Sequence, residues 1–79
     1  MKTTITPEIE ANMDIVLQAF LLGMDKNGCI EKENLVALSG LDSVKVRQAI
    51  CFLNDAGDSI VLMRSEFPYW QWQNVARRG

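Results

Sequence analysis

The segment from Glu33 to Gly57, ENLVALSGLDSVKVRQAICFLNDAG, carries the clearest signals for secondary structure in the sequence. Its first part has apolar residues at helical spacing and predicts a short helix that ends at Gly40. Asp42 follows and is a favourable N-cap for a further helix. That helix is expected to stop at Asn54-Asp55-Ala56-Gly57, with the glycine in the left-handed position. The stretch therefore predicts two helices joined by a tight turn.

The second of these helices has one apolar face, because its apolar residues recur at intervals of three and four. They are Val46, Ala49, Ile50 and Leu53. Burial of this set directs the remaining side chains away from the core. The outward group is Ser43, Val44, Lys45, Arg47 and Gln48.

An earlier helix is predicted from about Pro7 to about Met24, with Thr6 as its N-cap. Of the 17 residues from Glu8 to Met24, 11 are apolar, so this helix needs cover on more than one side. A second copy of the chain provides that cover, or the short helices and the sheet do. The expected buried stripe is Met13, Val16, Leu17, Phe20, Leu21 and Met24.

The segment after Asp58 changes to strand-like patterning. Residues 59–64 are β-branched and apolar, residues 65–68 can turn, and residues 69–73 alternate strictly. This pattern predicts a β-hairpin with one buried face. Trp70 and Trp72 share that face, and we expect them to pack in the core and not to stack on nucleic-acid bases. Residues 74–79 are expected to form a frayed basic tail.

The composition limits the classes of function. A chain of 79 residues with 48% apolar and 23% charged residues is expected to form a single domain over residues 1–79. It contains no histidine, which excludes histidine-based acid–base catalysis and imidazole metal ligands. No phosphate-binding glycine loop or nucleophile elbow is present. We therefore expect a non-enzyme without cofactor or metal.

The two cysteines are too few for a four-cysteine zinc site or a disulfide scaffold. Cys29 and Cys51 are most simply explained as buried small apolar residues, although Cys51 also lies at the margin of the outward group. Cys29-Ile30 can form a short strand. The apolar runs are too short to span a bilayer, and the acidic Glu8 and Glu10 do not fit a secretory signal. A cytoplasmic location is the expectation.

The net charge of −2 is unevenly distributed. Residues 1–42 contain three basic and seven acidic residues, whereas residues 43–79 contain five basic and three acidic residues. An acidic chain does not favour strong non-specific binding to nucleic acid. The basic second half nevertheless leaves room for a local cationic patch.

The predicted order of elements, three helices and then a hairpin, is that of a winged helix-turn-helix. Leu38-Ser39-Gly40-Leu41 and the stop from Leu53 to Gly57 resemble the corresponding segments of bacterial winged-helix regulators. In size and order the chain is similar to the pilus-operon regulators of the FaeA/PapI type, which also end with an aromatic strand. The resemblance covers roughly residues 13–73. It implies an α+β fold and transcription regulation in bacteria or phage.

These features lead to a first hypothesis, a small dimeric regulator that binds double-stranded DNA. In a helix-turn-helix the third helix enters the major groove, where Arg47 can pair with guanine and Gln48 with adenine. Ser43 and Lys45 suit phosphates. Arg64 lies on the predicted wing and is expected to contact a DNA phosphate. The tail pair Arg77-Arg78 can make the same kind of contact. The homodimer is expected to form through the first helix.

The rival hypothesis is a winged-helix module that binds protein and not DNA. The acidic first half, the hydrophobic first helix and Phe67 in the predicted turn motivate it. The turn also holds Glu66 where a DNA-binding wing usually carries arginine or lysine. On this alternative, Lys45, Arg47 and Gln48 form only a solvated face.

Overall fold

The computed structural model describes residues 5–73. It has an α+β architecture, in which three helices pack on one antiparallel three-stranded sheet. The order of elements is α1 Pro7–Gly23, β1 Cys29–Glu31, α2 Lys32–Ser39, α3 Ser43–Asp55, β2 Ile60–Met63 and β3 Tyr69–Trp72. This is the winged helix-turn-helix layout predicted from the sequence, with β2 and β3 as the wing.

Local capping fixes the ends of the helices where the sequence predicts them. The Thr6 hydroxyl accepts a hydrogen bond from the backbone N–H of Ile9 at 3.2 Å and so opens α1. Gly40 ends α2 with a φ of 73°, a conformation that glycine adopts without steric cost. Two residues later, an Asp42 carboxylate oxygen accepts from the N–H of Lys45 at 2.8 Å and opens α3. These adjacent caps produce the tight turn between α2 and α3.

Strand β3 lies in the middle of the sheet, whose order is β1-β3-β2. Trp70 pairs with Ile30 on one side and with Leu62 on the other. The sequence predicted a short strand at Cys29-Ile30 but not its partner. In the structure this strand pairs with β3. The sheet therefore continues beyond the wing through β1 on the β3 side, and β2 forms its other edge.

The core confirms the predicted burial of α3 and of both tryptophans. Trp72 is 1% exposed, and its ring meets that of Phe20 edge-on, with centroids 5.6 Å apart and planes at 77°. Such T-shaped pairs are favourable beyond the area that they bury. The buried apolar residues are Val16, Ala19, Phe20, Ile30, Leu35, Val46, Ala49, Ile50, Leu53, Ile60, Trp70 and Trp72.

Two burial expectations are wrong. Leu21 was expected in the buried stripe of α1 but is 50% exposed. At 3.6 residues per turn it is rotated by about 140° from the buried Val16, and Ala19 occupies the interface instead. Cys51 was expected to be buried and is exposed, because it lies on the side of α3 opposite Val46.

The side chain of Asn54 joins the end of α3 to the start of the wing. Its amide nitrogen donates to the carbonyl oxygen of Ile60 at 3.0 Å, and its amide oxygen accepts from the N–H of Ile60 at 2.8 Å. These two bonds satisfy both backbone groups of a residue that is itself 2% exposed. Asn54 therefore sets the position of β2 relative to α3, in addition to ending the helix.

Among residues 5–73, none of the helices has the length and hydrophobicity needed to cross a membrane. The predicted basic tail, residues 74–79, lies outside the described part of the chain.

Candidate nucleic-acid interface

The exposed side of α3 carries four of the five residues that the sequence indicates for DNA contact. Ser43, Lys45, Arg47 and Gln48 are all exposed and lie within the first two turns of the helix. On the opposite side, Val46 is 1% exposed and anchors the helix to the core. The predicted orientation of α3 is thus confirmed, and the four side chains share one solvent-facing surface.

A central row runs along this surface, formed by Val44, Gln48 and Cys51. Residues four and three positions apart lie on the same side of a helix, so Val44 stands one turn before Gln48. Val44 is 74% exposed. Lys45 and Arg47 flank the row on its two sides. Apolar periodicity identified Val44 as outward-facing but gave no sign of a role.

The electrostatic character of this surface is positive. Lys45 and Arg47 are the only charged residues between Ser43 and Asn54, and the first turn of α3 contains no acid. The nearest carboxylate on the N-terminal side, that of Asp42, is engaged in capping. The Asp42 carboxylate already occupies the N-terminus of α3, so the positive charge available to a phosphate group is that of the Lys45 and Arg47 side chains.

Arg64 lies on a different element from the other four candidates. It is exposed and directly follows β2, whereas the other four lie on α3. The structure thus brings Ser43, Lys45, Arg47 and Gln48 together and leaves Arg64 apart from them. The tail pair Arg77-Arg78 lies outside the described residues.

The tip of the wing lies against the start of α2. The backbone N–H of Lys32 donates to the carbonyl oxygen of Pro68 at 3.0 Å, and the hydroxyl of Ser65 donates to the carbonyl oxygen of Phe67 at 2.8 Å. Phe67 itself is 68% exposed. No basic residue occurs from Ser65 to Pro68, so the tip does not extend the positive surface of α3.

The two thiols have different surroundings. Cys51 is exposed. Burial, with the nearby Asp25 carboxylate, raises the pKa of the Cys29 thiol above its usual value, and a hydrogen bond with Gln71 opposes that rise. A raised pKa lowers the thiolate fraction at neutral pH, and the thiolate is the reactive form. The raised pKa therefore makes Cys29 less reactive at neutral pH than an unperturbed thiol.

We expect iodoacetamide at about neutral pH to alkylate Cys51 well before Cys29, because the thiolate form of Cys29 is disfavoured. Mass spectrometry of proteolytic peptides measures both rates. In the Asp25→Asn variant, the amide oxygen can still accept hydrogen bonds from the N–H groups of Asn27 and Cys29, but residue 25 no longer carries a negative charge. Cys29 should then react faster while Cys51 is unchanged. Faster alkylation of Cys29 than of Cys51 in the unaltered protein would contradict this assignment.

Among residues 5–73, no group of three or more histidine, cysteine or acidic side chains is arranged to hold a metal ion. Comparisons with protein-family models, with curated proteins and with solved structures found no match for this chain.

Proposed function

We propose that the protein is a small winged-helix transcription regulator that binds double-stranded DNA as a homodimer. The observation that carries the proposal is the start of α3, where Lys45 and Arg47 are exposed on a rigid, capped helix with no acid beside them in the first turn. Because this helix is capped and packed on the core, binding to its exposed side does not require a flexible segment to become ordered, which would cost free energy. Its width suits the major groove of B-DNA.

Each side chain on this surface has a role that fits its chemistry. The Arg47 guanidinium can donate two hydrogen bonds to guanine, and the Gln48 amide can pair with adenine. Val44, one turn before Gln48, suits contact with a thymine methyl group. Ser43 and Lys45 bind phosphates and fix the register, and Arg64 adds a phosphate contact from the wing.

The dimer is assigned to an uncovered apolar area on α1 and α2. Leu22 is 80% exposed, Leu38 48% and Ile15 39%, and all three line one shallow groove with Ala19. Within residues 5–73, part of the apolar surface of α1 is therefore exposed to solvent and is not packed against another element. A second copy would provide it, and a two-fold dimer would present two copies of α3 to half-sites about one helical turn apart.

Leu22→Glu should convert the dimer to a monomer, because a carboxylate in the centre of an apolar interface must be desolvated without a partner. Sedimentation equilibrium at several protein concentrations measures the mass. The matched control is Val44→Glu, which places the same charge at a site of similar exposure on α3. We expect that control to keep the mass of the original protein. A monomeric unaltered protein at about millimolar concentration would contradict the dimer.

Arg47→Ala should weaken binding to duplex DNA by about tenfold or more, since it removes a bidentate contact and a positive charge. Fluorescence anisotropy with a pool of random duplexes, between about 50 and 200 mM salt, gives the affinity and its salt dependence. Lys26→Ala removes one positive charge from the turn after α1 and serves as the control. Absence of binding by the unaltered protein at the lowest salt, or equal losses in both variants, would reject the proposal.

A further inference from the structure

The tip of the wing forms an apolar groove that the DNA-binding proposal leaves unused. Phe67 lines this groove, of ≈ 500 Å³, together with Val36 and Pro68. A phenylalanine that is 68% exposed is unfavourable in a free protein, since its ring gains free energy when covered. We call this feature the wing-tip groove, defined by these three residues and the charged residues at its rim.

The rim of the wing-tip groove is acidic. Glu31, Glu33 and Glu66 all line it, and Lys32 is the one basic residue among the lining residues. All four side chains are exposed. Three carboxylates around an aromatic ring repel the phosphates of a nucleic acid and attract a cation. The acidic rim of the wing-tip groove and the basic start of α3 therefore give the protein two surfaces of opposite charge.

The backbone that forms the wing-tip groove is held in place. The hydrogen bond from the Lys32 N–H to the Pro68 carbonyl, at 3.0 Å, ties the turn to the start of α2. The hydroxyl of Ser65 closes the turn on the carbonyl of Phe67 at 2.8 Å. A groove formed in advance binds a ligand without the cost of ordering a loop.

We propose that the wing-tip groove binds an extended, arginine-containing segment of another protein. A guanidinium stacks on an aromatic face and also pairs with carboxylates through two parallel hydrogen bonds. Phe67 provides the face, and the three glutamates at the rim provide the carboxylates. An aliphatic side chain next to the arginine covers Val36 and Pro68. This binding does not depend on DNA contact by α3.

The test uses a short fluorescein-labelled peptide with two arginines around a leucine, and the same peptide with glutamates in place of the arginines. Fluorescence anisotropy with the full chain should show binding of the arginine peptide only, weakening as salt rises. We expect at least a tenfold loss of affinity in Phe67→Ser and in Glu33→Lys. The controls Ile5→Ser and Glu8→Lys, which alter an exposed isoleucine and an exposed glutamate elsewhere, should bind as the original protein does.

Several outcomes would overturn the proposal. The wing-tip groove is not an arginine-binding site if both peptides bind equally, or if neither binds at about millimolar concentration. The same conclusion follows if Phe67→Ser leaves the affinity unchanged. If the full chain with Arg77→Glu and Arg78→Glu binds the peptide at least tenfold more tightly, the groove holds the chain's own tail. If Phe67→Ser lowers the mass in sedimentation, the groove holds a second copy. A lower mass in Phe67→Ser would also move the proposed dimer interface from α1 to the wing tip. The other outcomes do not bear on the affinity for duplex DNA, so the two proposals fail separately.

Discussion

Trp72→Ala is expected to lower the free energy of unfolding by about 3–5 kcal/mol, the range for removing a large aromatic side chain from a core. The indole of Trp72 is 1% exposed and meets the ring of Phe20 edge-on. Its removal leaves a cavity between the sheet and α1 that a chain of this size has few neighbouring side chains to fill. Since small domains are stable by only about 5–15 kcal/mol, the variant should be largely unfolded in mild denaturant.

Urea unfolding followed by far-ultraviolet circular dichroism measures this loss. Val61→Ala is the matched control, because Val61 lies on the neighbouring strand with its side chain 39% exposed. We expect that control to cost less than about 1 kcal/mol. Trp72→Phe keeps an aromatic ring beside Phe20 and should fall between the two. A loss below about 1 kcal/mol in Trp72→Ala would show that the described core is wrong.

Asn54→Ala is expected to cost about 2–3 kcal/mol, although Asn54 itself is exposed. Its amide satisfies both the N–H and the carbonyl of Ile60, at 2.8 and 3.0 Å. Without it, two backbone groups of a buried residue lose their partners, and each unsatisfied group costs about 1–3 kcal/mol. Water can partly reach these two groups, so we expect the total loss in the free energy of unfolding to lie near the lower end of the range for two unsatisfied groups.

Asn54→Asp separates the two hydrogen bonds. A carboxylate still accepts from the N–H of Ile60 but no longer donates to its carbonyl oxygen, so we expect roughly half of the loss. Asp55→Ala, one position along α3, should change the free energy of unfolding by less than about 0.5 kcal/mol. Equal stabilities of Asn54→Ala and Asp55→Ala would contradict the role of Asn54 in joining α3 to the wing.

The sequence predicts the ends of the helices well because each is decided by neighbouring residues. Thr6, Gly40 and Asp42 act on the backbone within four positions of themselves. The clear apolar repeat of α3 likewise predicts which of its side chains are exposed. The α+β class and the hairpin with both tryptophans on its buried face follow from the same local patterns.

The remaining features depend on contacts between distant parts of the chain. The pairing of Cys29 with Gln71, which adds β1 to the sheet, leaves no local signal in a three-residue strand. In α1, apolar residues are so frequent that periodicity does not select a single face, and Leu21 was therefore assigned to the wrong one. The role of Asn54 depends on where Ile60 lies, and the setting of Phe67 depends on the start of α2.

The two surfaces have opposite charges and lie on different elements. Lys45 and Arg47 on α3 suit an anionic duplex, whereas the glutamates around Phe67 exclude one. A wing whose tip is acidic cannot follow the DNA backbone with that tip, so Arg64, which directly follows β2, is the residue through which the wing would contact a phosphate. The affinity of a monomer for DNA is then expected to be low, which is one reason why we propose a dimer.

A nuclear magnetic resonance titration tests whether the exposed surface of α3 binds DNA. Nitrogen-15-labelled full chain is mixed with a pool of random duplexes at low salt, and the backbone amide signals are followed. We predict the largest shifts from Ser43 to Gln48, with the signals from Glu31 to Glu33 unchanged. If the duplexes shift other signals but leave those from Ser43 to Gln48 unmoved, or if they shift no signals at all, DNA binding by α3 is contradicted.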